Sequence, residues 1–387
     1  MTNLAPIFHR PELAKKLADQ ILVTGAGSAA GSGVFLAAPR RTGKSTFVRE
    51  DLRPALEMAG ALVVYADLWA NPTTDPGAVI TNAIRSALVG REGVILRLAK
   101  SAGMNKISVG NLSFDLDRIG LGQNVSLTDA LAALSDETGG MIVLVIDEAQ
   151  HAMTTDVGNS ALFALKAARD ELNSSRHNGL RIVCTGSNRD KLAMLRSGKD
   201  QAFFGAPLVN FPLLGRDYVE WFCNEVKLPF SLAPAEVWPL FVEAGCRPEL
   251  LGSAADQFRF ALGVDMAAAP QQFADEVRRL AEELNEVARG VIHSLTPIQS
   301  AVLRVMAASD QRYAPFEAAT LEKYRKAMQL SGQAPDELKV DVPGVQQALI
   351  ALQEKKLVWR AARGVYAVEE KHTVDVLNAE GLLAGLH

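Results

Sequence analysis

Gly43, Lys44 and Ser45 are consecutive, and their order matches what is needed to hold phosphates. They lie in the stretch AAPRRTGKSTF (37–47), which follows the apolar run VFLAA and leads into a helix-forming segment. A glycine-containing turn at such a junction aims successive backbone N–H groups around an anion, and the helix start adds partial positive charge. The lysine then neutralises the outer phosphates of a nucleoside triphosphate, and the hydroxyl after it holds Mg2+. Pro39, Arg40, Arg41, Thr42, Gly43, Lys44, Ser45 and Thr46 are therefore the candidate ATP-binding residues. Ala38 occupies the position where such a loop normally has its first glycine. A methyl group is tolerated there if the backbone does not need a positive φ.

Two other segments supply complementary chemistry. MIVLVIDEAQ (141–150) is an apolar run that ends in Asp147 and Glu148. A carboxylate at that strand end suits the Mg2+ shell beside Ser45, and Glu148 is placed to polarise a water for attack on the γ-phosphate. RIVCTGSNRDKL (181–192) brings Ser187, Asn188 and Arg189 to another strand end. Ligands in open parallel sheets sit at the carboxyl ends of strands. Asn188 is accordingly the first candidate to contact the γ-phosphate, and Arg189 the second.

These groups need a scaffold, and the apolar pattern predicts one. Strands are expected at Val34–Ala37, Leu62–Ala66, Ile142–Ile146, Arg181–Thr185 and Leu208–Phe211. Helices are expected at Pro11–Leu22, Lys44–Met58, Pro76–Leu88, Leu127–Asp136 and Ser160–Asn173. Such alternation predicts an α/β fold, a parallel sheet covered on both faces. TGAGSAAGSG (24–33) is a connector, because its third glycine is one place late for a dinucleotide fingerprint and a strand follows it. KISVGNLSFDLDRIGLG alternates with period two and predicts a hairpin inserted at about 104–122.

Residues 1–215 thus read as the core, 216–265 as a helical region broken at Pro229, Pro234 and Pro248, and 266–295 as a connecting helix. Within Pro270–Leu295, Phe273, Val277, Leu280, Leu284, Val287 and Val291 form one stripe suited to packing. Residues 296–387 have the layout of a winged helix-turn-helix, three helices and then two strands around Ala362–Gly364.

The bulk composition narrows the class. A chain of 387 residues with 48% hydrophobic and 22% charged residues is globular and long enough for two or three domains. Its formal net charge of −4 gives no global attraction to nucleic acid. Cys184, Cys223 and Cys246 lack metal-ligand spacing and suit a reducing compartment. No apolar run approaches the roughly 20 residues that cross a bilayer, and the N-terminal stretch lacks a signal-peptide core. The expectation is a cytoplasmic protein.

In this order, AAPRRTGKST, LVVYADLW, VLVIDEAQ and CTGSNRDKL resemble the archaeal-ATPase branch of the AAA+/STAND group of P-loop NTPases. AGCRPELL (244–251) is similar to that family's Gly-Gly-x-Pro element, with Cys246 at the second glycine. The resemblance implies a P-loop sheet of the additional-strand type with order 5-1-4-3-2, an all-α lid and a C-terminal winged helix-turn-helix. It also implies that Arg247 or Pro248 closes over ATP or ADP and that Phe8, His9 and Arg10 lie against the base. A homo-oligomer is implied as well, with an arginine finger supplied in trans, for which Arg196 is the candidate. Hydrolysis is then slow in the isolated chain.

Three readings stay open. The leading one is an ATPase acting as a Mg2+-dependent nucleotide switch that engages its own copies or a protein partner. The second is a DNA-associated ATPase of transposition-regulator or origin-recognition type. In that case Gln346, Gln347 and Gln353 face bases, and Lys355, Lys356, Arg360 and Arg363 meet phosphates. The third is a nucleotide-binding scaffold without turnover. A helicase is excluded, because nothing after residue 216 offers a second motor domain.

Overall fold

The computed structural model describes residues 6–23, 29–71, 73–89, 91, 93, 98, 126–198, 201–261, 263, 265–309, 313–333, 339–362 and 364–386. The apolar runs of its first half become five strands: β1 (Val34–Ala37), β2 (Leu62–Asp67), β3 (Ile142–Asp147), β4 (Leu180–Gly186) and β5 (Leu208–Asn210). All neighbours pair in parallel, in the order β2-β3-β4-β1-β5. This is the expected order, with β4 inserted between β1 and β3. Every strand therefore ends on the same edge, and the candidate chemistry follows those ends.

The chain divides into two units, Arg10–Ala38 with Ser45–Phe211, and Met1–His9 with Pro39–Lys44 and Pro212–His387. In the first, strand parity sorts side chains onto two faces. Val34, Leu36, Val63, Val143, Val145 and Val183 pack against α1 (Pro11–Leu22), through Ala14, Leu17 and Ile21. The same layer holds Phe47, Val48, Leu52 and Leu56 from the helical rod after the loop. Phe35 faces the other way and meets Phe203, over which lies Arg169 of the helix at Asp156–Ser174. Each such buried aliphatic or aromatic side chain contributes roughly 1.5–3 kcal/mol.

The rod differs from the uninterrupted helix expected at Lys44–Met58. It runs as α2 (Lys44–Phe47), a π-helical turn (Val48–Leu52) and α3 (Arg53–Met58). Pro54 has no N–H to continue the ladder, and the N–H of Arg53 reaches back to the carbonyl of Val48. Beyond it come α4 (Pro76–Leu88), α5 (Leu127–Thr138) and α6 (Asp156–Ser174). The sequence did not single out α7 (Arg189–Met194), which is short. The hairpin expected at 104–122 lies outside the described residues.

In the second unit, α8 (Arg216–Glu225), α9 (Pro234–Glu243) and α10 (Pro248–Arg259) enclose an aromatic-rich core around Tyr218, Phe222, Phe241 and Phe258. The long helix α11 (Ala269–His293) sends Phe273 and Val277 into that core. Its last turn puts Ile292 into another core, formed by α12 (Pro297–Ala308), α13 (Ala318–Leu330) and α14 (Val342–Glu354) with the antiparallel pair β6 (Val358–Ala362) and β7 (Val365–Val368). The apolar stripe of α11 is therefore divided between two cores, and Val287 at the division is 68% exposed. A last helix, α15 (Lys371–Ala379), follows the hairpin and was not anticipated. Among the described residues no helix is long and apolar enough to cross a membrane.

Candidate functional site

The loop between β1 and α2 makes its turn at Arg41 (φ 62°) and Gly43 (φ 79°). A Cβ on Gly43 would meet only the Leu214 Cδ1 at 4.0 Å, so the backbone angle, and not lack of room, calls for glycine there. Ala38 is buried with an ordinary φ, and its N–H donates to the Gly186 carbonyl at 3.1 Å. The alanine is thus accommodated without strain. Thr42 Oγ1 donates to the Pro39 carbonyl at 2.8 Å and braces the turn. Thr42 and Lys44 are 2% and 5% exposed, Ser45 is partly buried, and Arg40, Arg41 and Thr46 are exposed. Arg40 pairs with Glu370 at 3.2 Å and Glu369 at 3.6 Å, just past β7.

At the end of β3 the two acidic residues behave differently. Asp147 is buried, and its carboxylate accepts from groups on both sides. The Tyr65 hydroxyl reaches Oδ2 at 2.8 Å, while Thr185 Oγ1 and the Glu148 N–H (3.1 Å) reach Oδ1. Burial, and after it the Asp147 carboxylate, push the Tyr65 phenol well above its usual pKa, so it remains a donor at neutral pH. Glu148 adopts a left-handed backbone conformation (φ 54°), which costs an L-residue about 1–2 kcal/mol. Its Oε2 accepts from Gln150 Nε2 at 2.6 Å and from Ser187 Oγ at 2.8 Å. Gln150 is itself 1% exposed, and these two donors fix where the carboxylate points.

Asn188 closes the third strand end as the N-cap of α7. Its Oδ1 accepts from the N–H groups of Asp190 (2.9 Å) and Lys191 (3.1 Å), leaving the NH2 as the donor end of the amide. Arg189 Nη1 donates to Asn210 Oδ1 at 2.5 Å. Arg196 is half-buried, and its Nε donates to the Ala206 carbonyl, so its guanidinium is tied to its own loop.

The remaining candidates each have surroundings of their own. Phe8 lies 5.4 Å from the Tyr218 ring and 5.5 Å from that of Trp221, within the aromatic cluster of α8. His9 is exposed, and Arg10 covers the Phe211 ring while its N–H donates to Asp51 at 3.0 Å. Arg247 precedes α10, with Pro248 in the first turn, and pairs with Glu249 at 2.7 Å. Cys246 has φ 54° directly after Gly245 at 71°, a backbone that favours glycine at both positions. On the winged domain Gln346, Gln347, Lys355, Lys356 and Arg360 are exposed, whereas Gln353 donates to the Leu349 carbonyl of its own helix at 3.0 Å. Arg363 lies outside the described residues.

Tyr65 and Thr185, together with Gln150, are site residues that sequence reading missed. The available signal was Tyr65 itself, a phenol in a valine-rich strand whose hydroxyl needs a partner. As for cofactor fit, no cluster of three or more His, Cys, Asp or Glu side chains occurs among the described residues, so a cation held by protein alone is not indicated. One serine hydroxyl and one carboxylate are instead the modest oxygen set suited to Mg2+, which keeps waters and substrate phosphates as its other ligands.

No protein-family model matches the chain, and no curated protein matches it in sequence. Solved structures do resemble it along its whole length. The ORC2 protein of Aeropyrum pernix in its ADP form aligns with TM-score 0.53 at 14% identity, over 100% of this chain and 98% of that one. A Walker-type ATPase of Pyrococcus abyssi aligns with TM-score 0.49 at 18% identity, over 96% of each chain. The ORC1 protein of Aeropyrum pernix, solved in complex with DNA, gives TM-score 0.44 at 17% identity, over 100% and 97%. At these identities the likeness concerns the fold, and the first of the three carries it: a five-stranded parallel sheet followed by a helical region and a small antiparallel hairpin.

Proposed function

We propose that this chain binds ATP with Mg2+ and hydrolyses it slowly, as a nucleotide-controlled switch. The observation that carries the reading is the loop ending in buried Lys44 after β1, in a parallel sheet where β3, separated from β1 by β4, ends in Asp147 with Glu148 directly after it. Lys44 neutralises phosphate charge, the turn at Arg41–Gly43 presents backbone N–H groups, and Ser45 with Asp147 would hold Mg2+. The ion, when bound, withdraws charge from the outer phosphates. Glu148 accepts the proton of the attacking water, oriented by Gln150 and Ser187, and the Asn188 amide donates to the γ-phosphate. Phe8, His9, Arg10, Arg247 and Pro248 remain the candidates for the base and the closing lid.

The switch part rests on Arg40. A side chain in the phosphate loop whose partners are Glu369 and Glu370 ties the nucleotide to the wing of the C-terminal domain. Phosphate oxygens compete for the same guanidinium, so binding loosens the wing and exposes it to another copy or a partner. Arg196 acts as a finger on a neighbouring copy only after leaving the Ala206 carbonyl. The test is turnover against protein concentration, with Lys44→Ala as the blank. A specific rate that climbs with concentration supports the oligomeric ATPase, a flat nonzero rate removes the trans finger, and no turnover leaves a binding scaffold.

A second reading is favoured by the exposed Gln346, Gln347, Lys355, Lys356 and Arg360, which suit duplex DNA. Residues 296–387 carry as many acidic as basic side chains, so that binding is weak and steeply salt-dependent. Filter binding at low salt, with and without ATP, decides it, and no retention at 50 mM salt ends it.

A further inference from the structure

The carboxylate of Asp147 does not stand alone at its strand end. Tyr65 pairs in register with Val145 and Asp67 with Asp147, so the Tyr65 side chain spans a diagonal between β2 and β3 to reach the carboxylate. Strand parity puts Tyr65, Asp67, Asp147 and Thr185 on the face covered by α1 and the rod, the rod that begins with Lys44 and Ser45. From the π-turn of that rod, Arg49 donates through Nε to the Tyr65 oxygen at 3.1 Å and lies over its ring at 5.1 Å. A guanidinium has only donors, so the phenol oxygen must accept from it. The single phenol hydrogen then has one acceptor to serve, Asp147 Oδ2. Such a chain of donors polarises each member in turn.

We propose that Tyr65 is a positioning residue for Asp147, holding its Oδ2 in the orientation that receives the divalent cation, and that Arg49 acts through Tyr65. The proposal rests on the reading that Asp147 belongs to the metal shell. Arg49 has a second task here. Its Nη2 pairs with Asp67 at 2.5 Å, which engages the adjacent strand-end carboxylate and keeps it from competing for the same ion. Thr185 and the Glu148 N–H hold the other oxygen, so the carboxylate is restrained from both sides. A carboxylate turned by a few tenths of a radian still accepts hydrogen bonds, but it meets the strict octahedral demand of Mg2+ poorly.

The experiment uses the full chain with a non-hydrolysable ATP analogue and Mn2+, whose free concentration is read by electron paramagnetic resonance. Tyr65→Phe keeps the ring, its packing and the Arg49 guanidinium over it, and removes the hydroxyl with its hydrogen bonds to Asp147 and Arg49. The expected result is Mn2+ binding weakened about 5- to 10-fold, with metal-free affinity for a fluorescent ADP and the melting temperature unchanged. Arg49→Met is expected to weaken Mn2+ about 2- to 5-fold, and to add less than that in a Tyr65→Phe background, where only its hold on Asp67 is left to lose. Asp147→Asn serves as the reference, losing more than either. If Tyr65→Phe binds Mn2+ like the unmodified chain while Asp147→Asn does not, the positioning role is overturned and the metal site stands. If Asp147→Asn also binds normally, the metal reading falls with it. A Tyr65→Phe variant that loses metal-free ADP affinity and melting temperature together marks the tyrosine as a structural brace, which also overturns the proposal.

Discussion

Removing the two carboxylates that hold Arg40 tests whether the phosphate loop and the wing share one guanidinium. The perturbation is Glu369→Gln with Glu370→Gln, which keeps size and polarity but removes charge. In the structure Arg40 is 42% exposed, Glu370 48% and Glu369 19%, at 3.2 and 3.6 Å. Pairs at that exposure contribute about 0.2–1 kcal/mol each, and the more buried Glu369 is also the longer contact. Together they hold the loop by about 1 kcal/mol. If ATP must take Arg40 from them, their loss returns that energy to binding, and 1 kcal/mol corresponds to about 5-fold tighter affinity. The assay is fluorescent-ATP titration of the double variant at 50 mM and 500 mM salt. The gain should shrink at high salt, where the screening length falls to about 4 Å. Arg40→Ala removes the guanidinium for which carboxylates and phosphates compete and is expected not to tighten binding. An unchanged affinity in the double variant at low salt, or a gain indifferent to salt, refutes the shared guanidinium.

Other outcomes follow from the site and the backbone. Lys44→Ala is expected to weaken ATP binding at least about 100-fold in the same titration, because the buried ammonium proposed to neutralise the phosphates is lost. Glu148→Gln should keep ATP affinity within about 3-fold while turnover falls about 100-fold or more, since only the proton acceptor changes. Cys246→Gly relieves a left-handed L-residue and is expected to raise stability by about 0.5–1 kcal/mol, read as a shift in denaturant midpoint. Burial pushes the Cys223 thiol up to about 11, and pushes Cys184 and Tyr65 higher still. The unfolded chain therefore loses these protons first as the medium turns alkaline. Stability contributed below pH 9 declines as pH rises above it, so the denaturant midpoint at pH 10 should lie below that at pH 8.

The parts of the fold that were legible in advance are those whose cause is local. The strand β3 announces itself by six buried apolar and acidic positions in a row, and the loop by Gly43-Lys44-Ser45 after an apolar run. The order of strands came from resemblance to a family. The π-turn was missed because Pro54 sits one turn past the residues it perturbs, in a segment whose apolar spacing still looks helical. The α11 stripe read as one surface because its spacing is continuous, and only two separate cores reveal Val287 as the gap between them.

What stayed hidden at the site was the company each functional group keeps. Asp147 depends on Tyr65, 82 residues earlier, and on Thr185, 38 residues later, while Arg40 meets Glu370 across 330 residues. None of these pairs has a spacing that a periodicity can detect: those of Asp147 exist only once the parallel register is set, and that of Arg40 only once the residues after β7 meet the loop. A motif supplies a reactive group, but the orientation of that group is a property of the sheet. Glu148 makes the point most directly: its identity is plain from the sequence, yet its left-handed backbone and its hold by Gln150 and Ser187 are not. Strain of that kind persists only where surrounding contacts over-determine it. Here one contact comes from Gln150, in the turn that follows β3, and the other from Ser187 at the end of β4, so the strand beside the proposed base helps decide where that base can point.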